Sequence, residues 1–125
     1  MAKTIFLTKA KRNMQAAQLL FDNQMFDESA NRAYYAAFQA ALAALAAIGI
    51  QTARMSHEAA QANFNTELIH RRKIYPSHFK SYLLDLQATR QEADYELKFV
   101  SKRAASRQIK KAKEFVERVE QEISQ

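Results

Sequence analysis

The amino-acid sequence predicts an all-α protein, a single up-and-down bundle of about five helices. Its 125 residues include one glycine and one proline, so few turn signals interrupt the chain, and strong helix formers are abundant. Alternating, strand-like runs are absent from the sequence. The chain is long enough to bury a core without disulfides or metal, which predicts one domain over residues 1–125.

The first helix is predicted from about Thr4 to Leu20 or Phe21, because apolar residues recur there every three or four positions. The residues of this stripe are Phe6, Ala10, Met14, Ala17 and Phe21. Residues 21–26 are predicted to form a short connection to the second helix.

The second helix is marked by alanine, which occupies ten of the eighteen positions from Ala30 to Ala47. Alanine favours helix and lets neighbouring helices approach closely, which suits the centre of a bundle or a self-association seam. Asp27 is predicted as the N-cap, and Gly49 as a left-handed C-terminal cap. The face predicted to be buried consists of Ala30, Tyr34, Ala37, Phe38, Ala41, Leu45 and Ile48.

Two further helices are predicted in the middle of the chain, and the first of them is shorter than the helices before it. Ser56 is the expected cap of the third helix, and residues 70–73 (His-Arg-Arg-Lys) are too polar to bury. Pro76 ends any helix before it, and together with Ser77 it suits the first turn of a fourth helix. The inward residues are predicted to be Ala60, Phe64 and Leu68, then Phe79, Leu83 and Leu86.

The last helix is predicted to begin at a cap formed by Ser101. Its apolar residues alternate steps of four and three, a seven-residue repeat too short for a long coiled coil, so an antiparallel bundle contact is expected. These residues are Ala105, Ile109, Ala112, Val116, Val119 and Ile123.

The composition limits the class of protein. A net charge of +6 favours nucleic acid or another polyanion as partner. The lack of cysteine excludes thiol catalysis, disulfides and cysteine-based zinc sites, and it fits a reducing compartment. The longest apolar run, residues 40–50, is well short of the ~20 residues that span a bilayer, and charges interrupt the N-terminal region, so a cytoplasmic protein is expected.

Arg90 is the most unusual single residue, because it falls on the apolar face of the predicted fourth helix. A guanidinium there needs a partner or an open cleft, and Asp94, one turn later, can supply the partner. The adjacent Tyr95 adds a hydroxyl. Spacing alone favours a structural ion pair over a functional site, and both interpretations stay open.

A second feature is a basic run without any acid between residues 98 and 113. Lys102 and Arg103 would lie near the positive N-terminal end of the last helix, which prefers anions, so the run suggests a phosphate-bearing partner. A solvated charged face is the alternative interpretation. Residues 71–73 are a second basic spot that is a candidate to join the first. The basic residues of the run are Lys98, Lys102, Arg103, Arg107, Lys110, Lys111 and Lys113.

The sequence offers no pattern for a metal or cofactor. His57, His70 and His78 have neither metal-ligand spacing nor a carboxylate pair at a helical offset, and they are expected at the surface or at helix caps. A single glycine rules out a glycine-rich phosphate loop. We therefore expect no metal site and no cofactor.

Two separated segments resemble the HEPN family of small helical-bundle proteins. Residues 29–38, Ser-Ala-Asn-Arg-Ala-Tyr-Tyr-Ala-Ala-Phe, are similar to that family's helix-two signature of small residues around a Tyr-Tyr pair and a Phe. Residues 90–95, Arg-Gln-Glu-Ala-Asp-Tyr, are similar to the Arg-x-x-Ala-Asp-Tyr element of a prokaryotic subfamily. The pair Ser56 and His57 also fits, as does the last helix.

The resemblance implies a helical bundle that is usually dimeric and is often encoded beside a minimal nucleotidyltransferase in a toxin–antitoxin-like pair. Many relatives are metal-independent endoribonucleases, whose motif is an arginine followed within a few residues by a histidine. The arginine stabilises phosphate charge, and the histidine activates or protonates an oxygen.

This chain departs from that motif, because no histidine follows Arg90 in the sequence and Tyr95 occupies the expected place. A tyrosine, with an ordinary pKa of about 10, is a poor general base at neutral pH. We therefore expect a homodimeric, non-catalytic module that binds RNA, a nucleotide or a nucleotidyltransferase. The expected phosphate-binding residues are Arg32, Arg90, Lys102, Arg103 and Arg107.

Two alternatives remain. The first is a divergent endoribonuclease toxin in which Arg90 stabilises the transition state and Tyr95 or Asp94 takes part in proton transfer. In a related version, a partner nucleotidyltransferase modifies Tyr95. The second alternative is a purely structural homo-oligomer.

Overall fold

The computed structural model describes residues 1–96 and 98–124, and this part of the chain contains helices and no strand. The predicted all-α fold is therefore confirmed. The helices are α1 (Ala2–Asp22), α2 (Phe26–Ala47), α3 (His57–Asn63), α4 (His78–Tyr95) and α5 (Lys102–Ile123). A π-helical segment, Phe64–Arg71, continues α3 without a break.

The four long helices run alternately up and down. Lys11 in the middle of α1 pairs with Glu120 near the end of α5 at 2.6 Å. Phe21 at the end of α1 shares a depression with the first residues of α5, so these two helices are antiparallel. Asn31 at the start of α2 bonds to Asp94 at the end of α4. The C-terminal ends of α1 and α4 therefore lie at the same end of the bundle as the N-terminal ends of α2 and α5. We call this the α4–α5 end of the bundle.

The alanine-rich α2 is the centre of the bundle and packs against α1, α4 and α5. Thirteen of its residues are buried, so its burial is not confined to one face. At its contact with α1, the buried Ser29 hydroxyl donates a 2.8 Å hydrogen bond to the Ala17 carbonyl. The small side chains therefore serve the chain's own core, as expected for the central helix of a bundle.

Both serine caps predicted from the sequence are present. The Ser56 hydroxyl accepts the Ala59 N–H at 3.0 Å at the start of α3. The Ser101 hydroxyl likewise accepts the Ala104 N–H at 3.1 Å at the start of α5. Each bond satisfies one of the free N–H groups at a helix N-terminus.

The predicted glycine cap at the end of α2 is also confirmed. Gly49 has a φ of +85°, and its N–H bonds to the Ala46 carbonyl at 3.0 Å. The Ile50 N–H bonds to the Leu45 carbonyl at 3.1 Å. These two bonds form a Schellman motif, which closes the helix with a left-handed residue.

Two expectations about helix starts are wrong. α2 begins two residues earlier than predicted, with Met25 at the N-cap, so Asp27 lies inside its first turn. There the Asp27 carboxylate accepts the Val100 N–H at 2.6 Å, a contact that fixes the segment before α5. α4 begins at His78, so Pro76 and Ser77 precede the helix instead of forming its first turn.

The remaining inward stripes pack as predicted, with small differences in extent. α1 extends a residue or two beyond both predicted ends. Phe115 of α5 lies between two other buried rings, with centroid distances of 5.1 Å to Phe64 and 4.7 Å to Phe79. Ile123, the last residue of the predicted repeat, is only partly buried. No helix in the described residues is both long and apolar enough to cross a membrane.

Gly49→Ala should lower the free energy of unfolding by about 1 kcal/mol, because an L-residue is strained at positive φ. Nothing lies within 4 Å of an added Cβ, so the cost is one of backbone conformation alone. Urea unfolding measures it, with Gly49→Asn as a control that should lose less because asparagine tolerates this conformation. An alanine variant as stable as the wild type would contradict this assignment.

Candidate functional site

Arg90 lies on the α2-facing side of α4, and its side chain is 14% exposed. Its Nη1 donates to Asp94 Oδ2 at 3.3 Å, so the ion pair expected from the spacing is present. The guanidinium carbon lies 5.3 Å and 5.7 Å from the ring centroids of Tyr34 and Tyr35. Arg90 Nε is buried and has no hydrogen-bond partner among the described residues, so the aromatic faces supply part of the stabilisation of this cation.

A chain of polar contacts extends from this pair across the bundle. Asn31 Nδ2 lies 3.3 Å and 3.2 Å from the two Asp94 carboxylate oxygens. Asn31 Oδ1 accepts from Arg32 Nε at 3.0 Å and from Arg32 Nη2 at 2.6 Å. Arg32 Nη1 in turn donates to Asn13 Oδ1 at 3.1 Å. The network therefore joins α1, α2 and α4 near the α4–α5 end.

The groove above this network is more acidic than basic. Arg32 and Tyr95 line it, and Tyr95 is 76% exposed. Three carboxylates share the groove with the single guanidinium, and they belong to Asp27, Glu28 and Asp94. A phosphate entering here would therefore face repulsion, and it would compete with the existing partners of Arg32 and Arg90.

His57 differs from the sequence-based expectation of a surface or capping histidine. Its ring is half-buried at the start of α3 and stacks on Phe38 with centroids 4.2 Å apart. Its Nδ1 lies 2.5 Å from the Tyr34 hydroxyl. His70 and His78 are exposed, as expected. A signal for His57 was available, because it occupies the same helical stripe as Ala60, three residues later.

The protonation states of His57 and Tyr34 follow from their surroundings. Burial raises the pKa of Tyr34 to about 12, so its hydroxyl keeps its proton and is neutral where it hydrogen-bonds with His57 Nδ1. Burial also lowers the pKa of His57, and the positive charge of Arg90 lowers it further. Neutral His57 has one donor and one acceptor nitrogen, so either tautomer can hydrogen-bond with the Tyr34 hydroxyl at Nδ1.

The predicted basic run forms a separate surface on α5. We call Lys102, Arg103, Arg107 and Lys110 the α5 basic strip. These four cations line one shallow depression with Ser106 and Phe21. All four are exposed, and no carboxylate of the described residues lies within ion-pair distance of them.

Other members of the basic run have different surroundings. Lys111 pairs with Asp85, and its ammonium lies 5.9 Å from the Tyr82 ring centroid, so it belongs to the α4–α5 contact. Lys98 and Lys113 are exposed. The second basic spot, residues 71–73, does not join the strip. Arg118, near the C-terminal end of α5, donates to the Ile74 carbonyl, whereas the strip lies at the opposite end of that helix.

The residues proposed from the sequence therefore lie on two surfaces. Arg32, Arg90, Asp94 and Tyr95 come together between α2 and α4. Lys102, Arg103 and Arg107 lie together on the α1–α5 side. Within residues 1–96 and 98–124, no three histidine or carboxylate side chains converge as metal ligands would.

His57 should make stability depend on pH. Its pKa is lower in the folded protein, so the unfolded chain binds the proton more tightly, and stability falls as the pH drops below about 6.5. The free energy of unfolding of the wild type should therefore fall more between pH 7.5 and pH 5 than that of His57→Gln. Equal losses in the two proteins, measured by urea unfolding at each pH, would contradict the assignment.

Comparison with known proteins agrees with this architecture. The family model described as the HEPN domain matches residues 4–122. The UPF0332 protein glr0978 of Gloeobacter violaceus is 32% identical over 89 residues, which cover 71% of this chain and 68% of that protein. The matched region includes all five helices almost completely. The chain therefore belongs to the HEPN domain family.

Proposed function

We propose that this HEPN-domain chain is a cytoplasmic module that binds RNA or a nucleotide through phosphate groups. The observation that carries the proposal is the α5 basic strip, where four exposed cations share one depression without a carboxylate partner in the described chain. Such clusters attract polyanions. When a nucleic acid binds to them, the counterions condensed on its phosphates are released.

The position of the strip on its helix supports the same function. Lys102 is the first residue of α5, and Arg103 follows it, so both cations lie at the positive end of the helix dipole. These positive charges repel one another and the helix N-terminus, which destabilises the unliganded protein. A bound phosphate offsets this repulsion and also accepts hydrogen bonds from N–H groups of the helix. Lys111 on the same helix is paired with Asp85 and is therefore less available to a ligand than the four cations of the strip.

Arg32 and Arg90 are proposed as weaker, additional phosphate contacts. Each is already engaged, Arg32 by Asn31 and Asn13 and Arg90 by Asp94. A phosphate reaching them must replace these contacts, so we assign the larger part of the affinity to α5.

The proposal includes assembly partners. We expect a homodimer and a minimal nucleotidyltransferase partner in a toxin–antitoxin-like pair, because the family resemblance implies both. Tyr95 is 76% exposed at the end of α4, so its hydroxyl is accessible to an enzyme that transfers a nucleotide.

The double variant Arg103→Gln/Arg107→Gln should weaken binding of a fluorescently labelled RNA by about tenfold, as measured by anisotropy. The slope of log affinity against log salt should fall by about 1.4, since two phosphate contacts are lost. The matched control Arg12→Gln/Arg72→Gln removes two exposed arginines elsewhere and should bind as the wild type. Equal affinity of both double variants would refute the assigned surface, and no binding by the wild type would refute the function.

RNA cleavage is the second candidate function, and one observation favours it. His57 and Arg90 lie near one another around Tyr34, although the sequence lacks a histidine after Arg90. Arg90 would stabilise phosphate charge, with proton transfer by His57 or by Tyr95 or Asp94.

Cleavage of single-stranded RNA in buffer containing EDTA tests this candidate. Arg90→Lys should slow cleavage by about 100-fold or more, because lysine cannot reproduce a guanidinium donor pair. Comparison of His57→Gln with Tyr95→Phe then identifies the proton-transfer residue, with circular dichroism as the check on folding. Wild-type protein that leaves the RNA intact would exclude this function.

A further inference from the structure

Phe99 is an aromatic residue whose side chain is 90% exposed. It lies in the segment between α4 and α5, and that segment is fixed on its C-terminal side. The Val100 N–H bonds to the Asp27 carboxylate at 2.6 Å, and the Val100 side chain is buried against Ala30 and Ala105. Phe99 is therefore presented to solvent beside an anchored residue.

The surroundings of Phe99 are cationic along α5. Lys98 precedes it, and Lys102 and Arg103 follow it at the start of the helix, all three of them exposed. The α5 basic strip continues from there, with Arg107 one turn further along. An exposed aromatic face next to a row of cations matches the requirements of a single nucleic-acid strand, which offers bases to stack and phosphates to neutralise.

The depression that Phe99 lines is acidic, and this sets the direction of the strand. Asp27 and Glu28 line this shallow depression, the last turn of α4 carries Glu92 and Asp94, and Glu96 follows that helix. Phosphates are repelled on that side and attracted on the α5 side. A strand stacked on Phe99 thus extends along α5.

We propose that Phe99 is a stacking platform for one base of single-stranded RNA, whose neighbouring phosphates bind the start of the α5 basic strip. This inference rests on the proposed RNA-binding function. It adds that the RNA is single-stranded and that one of its bases contacts the protein. Duplex RNA keeps its bases inside the helix and cannot stack on Phe99. Stacking accepts any base, so recognition at this position does not depend on sequence.

The lack of tryptophan in this chain permits a direct test. Phe99→Trp keeps an aromatic face and places the chain's only tryptophan at the proposed contact. Its fluorescence should be quenched by single-stranded oligoadenylate and left unchanged by duplex RNA or by inorganic polyphosphate, which carries charge without bases. Leu84→Trp places the same fluorophore at an exposed apolar position on α4 and should not respond to any of the three.

Affinity measurements on Phe99→Ala complete the test. Binding of single-stranded RNA should weaken by about tenfold. The slope of log affinity against log salt should not change, because no phosphate contact is lost.

The outcomes separate this inference from the function on which it rests. If the wild type binds no RNA, the proposed function fails. If RNA binding depends on Arg103 but Phe99→Ala binds with full affinity and Phe99→Trp is not quenched, only the stacking platform is overturned. Equal quenching by polyphosphate overturns it too. A Phe99→Ala protein that loses self-association in light scattering and keeps its RNA affinity assigns Phe99 to a protein interface instead.

Discussion

Close packing around α2 is the constraint on which the rest of the bundle depends. Alanine dominates this helix, and α1, α4 and α5 all pack directly against it. Because interhelical distance is set by side-chain size, larger residues here would push three helices outward at once. The polar network at the α4–α5 end needs this proximity, since Asn31 and Arg32 reach partners on both α4 and α1.

The two candidate surfaces differ in what happens to their charges. Between α2 and α4, each cation contacts oxygen atoms or aromatic faces of the protein itself. These contacts mainly stabilise the packing of one helix against another. Along the start of α5 the cations have no such partners in the described chain, so their charge acts on the solvent and on approaching ions. For this reason we propose ligand binding on α5, although the segment that resembles a family motif lies on α4.

Local patterns in the sequence were sufficient for the fold, because helix propensity, apolar stripes and caps depend on residues a few positions apart. Ser56, Ser101 and Gly49 were predicted on that basis and are confirmed. The roles of Asp27 and His57 depend on partners distant in sequence, Val100 and Tyr34, which no local pattern specifies. The split of the site into two surfaces likewise depends on how α4 and α5 are rotated about their axes.

The burial of α2 also has an evolutionary consequence. An alanine side chain has no rotamers, so the centre of this bundle cannot absorb a larger residue by local rearrangement. Accepted substitutions are then expected mainly on the outer faces of α1, α4 and α5, and the ligand surface that we propose lies on the outer face of α5. Related chains can therefore exchange one ligand for another while the core stays almost unchanged, and the rigidity of the centre favours functional divergence at the surface.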